Sequence, residues 1–248
     1  MSSIFHTIVY QPLYNALIFL YNVIPGHDFG IAIIVLTILL KAALIPVSRK
    51  QIKSQKKLQD LQPQIKEIQT KYKNDKERQT KEMLEFYKKN KTSPFSGCLP
   101  LIFQSIFFIA IYRVLINISD ANLTVQGEFL YSFVKNPGIV NNIFLGIVNL
   151  TKPSIPIAVL AAIAQFFQAK TMVTKKRDEE KDRKHEEKSA NDKQADFLQI
   201  MNKQMMYLWP FLTLFICIKF ASGLALYWLV STLFALIQQI YIIKKSNK

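Results

Sequence analysis

Apolar and charged residues are sorted into separate blocks along this chain, and that sorting restricts the fold more than any single motif. Four runs, Phe29–Val47, Cys98–Ile118, Ile155–Val173 and Met205–Ile243, approach or exceed the roughly 20 apolar residues that cross a bilayer. The last is long enough for two spans and is split at Ala221-Ser222-Gly223, giving a short helix ending near Phe220 and another from Leu224 to Ile243. A soluble domain with 50% hydrophobic residues and a net charge of +15 would mix the two kinds within each amphipathic element. The segregation instead predicts an all-α polytopic membrane protein with five transmembrane helices. An earlier run, Ile8–Ile24, carries Thr7, Gln11, Asn15 and Asn22 along one helical face. That pattern predicts a helix lying in the membrane interface. It lacks the basic flank and small-residue cleavage site of a secretory signal.

The lysines orient the chain. Arg49 to Lys91 holds 14 Lys/Arg, Lys170 to Lys203 holds 10, and Lys244, Lys245 and Lys248 follow in the tail. Elsewhere outside the apolar runs, only Lys135 and Lys152 are basic. Positive residues collect on the cytoplasmic side, so the N-terminus is expected outside and the C-terminus in the cytoplasm. The resulting order is an extracytoplasmic interfacial helix (1–28), the first transmembrane helix (29–48), a cytoplasmic helical hairpin (49–97) and the second transmembrane helix (98–118). An extracytoplasmic segment (119–153), the third transmembrane helix (154–173), a charged cytoplasmic loop (174–204), the last two spans (205–243) and a cytoplasmic tail (244–248) follow.

Leu58, Leu61, Ile65, Ile68 and Tyr72 step by three and four, the seam of a helix packing on a second helix. Met83, Leu84 and Tyr87 mark that partner, which begins after Asn74-Asp75, and Pro63 is expected to kink or start a helix. The hairpin's lysines would bind anionic headgroups or ribosomal RNA by charge alone, without reading a nucleic-acid sequence. The loop "KKRDEEKDRKHEEKSANDKQADF" mixes both signs with almost no apolar residues and is expected to be mobile. Ser119–Pro153 is mildly apolar, turns at Asn136-Pro137-Gly138 and is expected to lie against the membrane surface.

Catalysis has little to work with. The apolar runs contain no Asp, Glu or His, and His6, His27 and His185 fall on opposite sides of the expected topology. No HExxH, GxSxG or phosphate-binding loop occurs, and Cys98 and Cys217 suggest neither a disulfide framework nor a metal site. The expectation is a non-enzyme with no cofactor. Three cations do lie inside the runs. Arg113 and Lys219 fall in the outer ends, where a long side chain snorkels to water. Lys41 lies eight residues before Arg49, roughly 12 Å along a helix. A charge there costs roughly 2.5–3.5 kcal/mol near the bilayer centre, and position alone leaves both snorkelling and function open. The spans also carry uncharged polar groups: Gln104, Gln165, Gln168, Thr213, Ser231, Thr232, Gln238 and Gln239. Singly each would bond across helices. Together with one cation they would suit a wet cavity closed toward the outside.

Three stretches carry a family resemblance. "LKAALIPVSRKQIKS" followed by "LQPQIKEIQTKY", "SPFSGCLPLIFQSIFFIAIYRVL" and "FASGLALYWLVSTLFALIQQ" occur in the order and separation of the YidC family of membrane protein insertases, which the chain resembles over roughly Phe29 to Ile243. The resemblance implies five helices around a hydrophilic groove open to the cytoplasm and to lipid but sealed outside. It implies that Lys41, where the family usually has arginine, attracts polar or acidic parts of a nascent membrane protein, while Gln104, Gln165, Gln168 and Trp228 line the groove. Ala221 stands where many relatives have proline. The implied setting is the plasma membrane of a prokaryote, with nascent membrane proteins and lipid as partners. The ribosome and the secretory translocon are further expected partners. With a tail of only "KKSNK" after Ile243, ribosome contact is expected to use the loops. Two other classes compete: an ion or small-solute channel, which would leak when idle, and a membrane-anchored coiled-coil scaffold, in which Lys41→Ala would have no effect.

Overall fold

The computed structural model describes residues 3–93, 99–173 and 207–245. The charged loop expected over 174–204, Cys98, His185 and the chain beyond 245 lie outside them. The described chain is mostly helical. A short turn α1 (Ser3–Phe5) and a π-helical stretch His6–Tyr10 lead into α2 (Gln11–Val23). Then come α3 (Phe29–Ala43), α4 (Ile45–Asp60), α5 (Gln62–Lys71), α6 (Lys76–Lys89), α7 (Leu99–Asp120) and α8 (Ile155–Val173). The last two are α9 (Tyr207–Lys219) and α10 (Ser222–Lys245), with Phe220 and Ala221 between them. Between α7 and α8, β1 (Ile143–Phe144) and β2 (Val148–Asn149) pair antiparallel, with Ile143 opposite Asn149.

By length and hydropathy, α10 alone among the described helices could cross a membrane unaided. The first apolar run does not continue straight to Val47 as expected. It stops at Ala43, and α3 and α4 meet at a 67° bend. Pro46 is the reason: it sits in the first turn of α4, lacks a donor, and its ring would collide with a carbonyl one turn back if the helix ran on. Of the other apolar helices, α9 is 13 residues long, and α7 and α8 adjoin undescribed residues.

The helices share one end. Asp28 caps α3, its Oδ1 accepting from Gly30 N at 2.7 Å and Ile31 N at 3.1 Å, while its Oδ2 accepts from Leu145 N in the β-turn at 2.7 Å. One carboxylate thus holds the start of α3 and the β-hairpin together. Gly30 admits the Phe144 ring so closely that a Cβ there would overlap it. At the start of α10, Ser222 N donates to Lys152 O (2.9 Å), Gly223 N to Leu150 O (3.0 Å) and Ser222 Oγ to Asn149 O (2.7 Å). The segment after α7 therefore covers the ends of α3, α7, α8 and α10, and α3, α8 and α10 run away from it in the same direction.

The polar face of the N-terminal helix packs against the segment after α7. Asn15 is 3% exposed, donates to Phe129 O at 2.8 Å and accepts from Tyr131 N at 2.6 Å. Tyr14 is fully buried, and its hydroxyl accepts from Gln126 N at 2.9 Å; burial pushes its pKa up to about 12, so it stays protonated. Leu13, Leu17 and Ile18 are buried as well, whereas Ile8, Phe19 and Val23 are exposed. The polar stripe is consumed by the segment after α7, and the apolar surface left over faces outward.

At the other end, α4 to α6 form the hairpin arms. Pro63 starts α5 rather than kinking a longer helix. Asp75 caps α6 by accepting from Arg78 N at 2.9 Å. The arms meet through the buried Ile65, through Gln79 Nε2 donating to Gln69 O at 2.7 Å, and through Arg78 over the Tyr72 ring at 5.1 Å.

Candidate functional site

The polar side chains of the apolar helices gather on α10. Tyr227 and Ser231 are one turn apart on it, and Trp228 and Thr232 form a parallel stripe. These two stripes face different neighbours.

On the first, Lys41 of α3 donates from Nζ to Gln104 Oε1 of α7 at 3.0 Å. The same oxygen accepts from Ser231 Oγ at 3.2 Å, and Gln104 Nε2 donates to the Tyr227 hydroxyl at 3.3 Å. Lysine can only donate, so the amide must turn its oxygen toward Lys41; that fixes the orientation of Gln104 and makes it the hub of three helices. Tyr227 is 2% and Ser231 1% exposed, while Lys41 and Gln104 are half-buried. Two of the ammonium's three donors remain beyond the bond to Gln104.

On the second stripe, Trp228 Nε1 donates to Gln165 Oε1 of α8 at 3.3 Å, and Thr232 Oγ1 donates to the same oxygen at 3.4 Å. The indole N–H also only donates, so Gln165 is oriented by the same logic. The Phe108 ring of α7 meets Trp228 edge-on at 5.2 Å. Farther along α10, Gln239 donates to Thr171 Oγ1 at 2.6 Å and to the backbone carbonyl of Gln168 at 3.4 Å, and Gln238 donates to Ile45 O at 3.4 Å beside the α3–α4 bend.

Of the five residues singled out in the sequence, Lys41 and Gln104 therefore meet directly, and so do Gln165 and Trp228. Gln168 joins through its carbonyl, not its amide side chain. Tyr227 was missed because it reads as one more aromatic within an apolar run. Its one-turn spacing from Ser231 was the available signal. Thr213 of α9 is 1% exposed and its hydroxyl has no partner. Arg113 and Lys219 are exposed and stand outside both clusters. Among the described residues, no group of three or more His, Cys, Asp or Glu could hold a metal ion.

The arrangement is one of hydrogen-bond donors and amides within apolar helices, with one cation and no carboxylate among the contacts. It can offer hydrogen bonds and positive charge to a guest, and among the described residues of these contacts there is no nucleophile paired with a base. The model of the family described as "60Kd inner membrane protein" matches residues 19–248. A protein of Fusobacterium nucleatum named "Membrane protein insertase YidC" is 33% identical over 239 residues, covering 96% of this chain and 98% of that one. Proteins of the same name from Streptomyces avermitilis and Geobacter metallireducens are 31% and 32% identical over 89% and 94% of this chain. The chain spans 52% of the first of these and 36% of the second. By the extent of these matches, the chain belongs to the 60Kd inner membrane protein family, that of YidC.

Proposed function

We propose that this protein is a membrane protein insertase and chaperone. In this reading α3, α7, α8, α9 and α10 cross the membrane, the segment after α7 lies outside, and the α4–α6 arms lie in the cytoplasm. The polar stripes of α10, with Lys41, border a groove that admits hydrophilic parts of a nascent membrane protein. The observation that carries the reading is the Lys41–Gln104–Ser231–Tyr227 cluster: a cation held by neutral partners within apolar helices, its charge not cancelled by any carboxylate among the described residues.

The energetics follow from that cluster. An acidic or polar tail entering hydrocarbon leaves its water behind, at a cost of several kcal/mol per unpaired group. The remaining Lys41 donors replace part of the lost hydration, and the amides of Gln104 and Gln165 can exchange partners with a passing peptide group. The guest's apolar helix then moves into lipid, releasing about 25 cal/mol per Å² of apolar surface removed from water, so no nucleotide is required. The names carried by the relatives support the insertase reading. The lysine count of the arms supports their cytoplasmic placement. Nascent membrane proteins are the proposed substrates, and the ribosome and the secretory translocon the proposed neighbours.

The test is insertion of a single-spanning substrate with an acidic N-terminal tail into proteoliposomes holding wild type, Lys41→Arg or Lys41→Ala protein, scored by protease protection of the tail. Alanine is expected to abolish most protection and arginine to retain it. Equal insertion by all three would remove Lys41 from the mechanism.

A further inference from the structure

A second basic site lies away from the Lys41 cluster, where α4 passes the last turns of α10. A cavity of about 300 Å³ opens there, walled by Ile52, Lys53, Lys56, Lys57 and Asp60 of α4 and floored by Ile242 and Ile243 of α10. Positions 53, 56, 57 and 60 repeat at three and four residues, so one face of α4 carries three ammonium groups and one carboxylate toward this corner. Ile242 is 7% exposed, and Lys244 and Lys245 end the helix just beyond.

We propose that this corner binds the headgroup of an anionic phospholipid of the phosphatidylglycerol kind. The corner joins an apolar surface to a cluster of cations, as a lipid joins acyl chains to a phosphate. The 67° bend between α3 and α4 supplies the orientation: with α3 crossing the bilayer, α4 lies closer to the membrane plane than to its normal. Its lysines then stand in the headgroup layer rather than in open cytoplasm. Basic residues at that depth attract anionic lipid and lose this attraction within a Debye length. Nucleic acid presents the same phosphate chemistry but has nothing to set against the half-buried Ile52 and Ile243. Asp60 opposes the phosphate and tempers the affinity. The site would brace the arms against the membrane. It rests on the reading of α3 and α10 as membrane spans, but not on insertion activity.

The experiment is native mass spectrometry of the full-length protein released from detergent after titration with dioleoyl phosphatidylglycerol or dioleoyl phosphatidylcholine, without any substrate. Wild type is expected to retain the anionic lipid preferentially, and the Lys53→Gln/Lys56→Gln double variant to bind it about tenfold more weakly. Lys57 is left in place because its Nζ donates to Asn90 O at 2.6 Å and ties the two arms. Asp60→Asn is expected to raise retention several-fold, a gain that misfolding would not produce. Lys76→Gln/Lys81→Gln on α6 should leave it unchanged. Equal retention of both lipids, an equal loss in the α6 variant, no loss in the double variant, or displacement by inorganic phosphate at the lipid's own concentration would each overturn the proposal. Failure of the wild-type protein to insert substrate in the proteoliposome assay, with lipid retention intact, would count against the insertase reading alone.

Discussion

Gln104 and Gln165 look equivalent in the sequence, each an amide within an apolar run, yet their replacement should differ in cost. Gln104→Met removes the acceptor shared by the Lys41 ammonium and the Ser231 hydroxyl and the donor to the Tyr227 hydroxyl, leaving these two hydroxyls, at 1% and 2% exposure, only each other. A half-buried charge and two buried hydroxyls then lose partners, at about 1–3 kcal/mol each where water cannot enter. Gln165→Met leaves only an indole N–H and a threonine hydroxyl without their acceptor. Thermal unfolding in detergent should therefore rank Gln104→Met below Gln165→Met, with both below wild type. Thr213 gives the opposite sign: its buried hydroxyl has no partner, so Thr213→Val should raise stability by about 1 kcal/mol. A lower insertion rate in the same variant would mean that the hydroxyl serves a guest rather than the fold. The residues of the cluster were legible one at a time, because a polar group in an apolar run stands out. Their pairing was not, since Lys41 and Gln104 are 63 positions apart and only the packing of α3, α7 and α10 joins them.

Asp28 illustrates what element-level reading leaves out. It lies one residue before the first apolar run, so hydropathy passes over it, yet its carboxylate links α3 to the β-hairpin. Asp28→Ala should cost about 1–2 kcal/mol through the lost cap alone, and it also strands the Leu145 amide. Gly30→Val would push the Phe144 ring away from the start of α3. Both variants should speed hydrogen exchange at Leu145 and the neighbouring hairpin amides, with exchange in the α5–α6 arms unchanged. A uniform acceleration across the chain would mean that the cap stabilises the whole bundle rather than this end. The polar stripe of the N-terminal helix was legible as well, but periodicity reports only that one face is polar, not what satisfies it. Here the donors and acceptors belong to residues 126–135, more than 100 positions away. Pro46 falls inside the first apolar run, where hydropathy passes over it, and the size of the bend it permits depends on what α4 packs against.

At the scale of the whole molecule, the bundle and the arms are built on different principles. The bundle's core runs through buried residues of α2, α3, α7, α8 and α10, whereas Ile65 is the only buried residue among the described positions of α4, α5 and α6. Sequence made this division plain, because apolar runs of membrane length and a heptad-like seam between lysines demand different surroundings. Stability should divide in the same way, since local unfolding follows buried apolar contact. Ile65→Ala removes the one buried anchor of the arms and should cost about 2 kcal/mol there, toward the low end for such a truncation because the site is small and near the surface. Hydrogen–deuterium exchange should then accelerate across Gln62–Lys89 and stay unchanged in α10. If α10 loosens as well, the arms and the bundle form one cooperative unit. In that case a substrate or ribosome engaging the arms could shift the Lys41 cluster directly, through the contact between α4 and the end of α10, where Gln238 already reaches Ile45 across the bend.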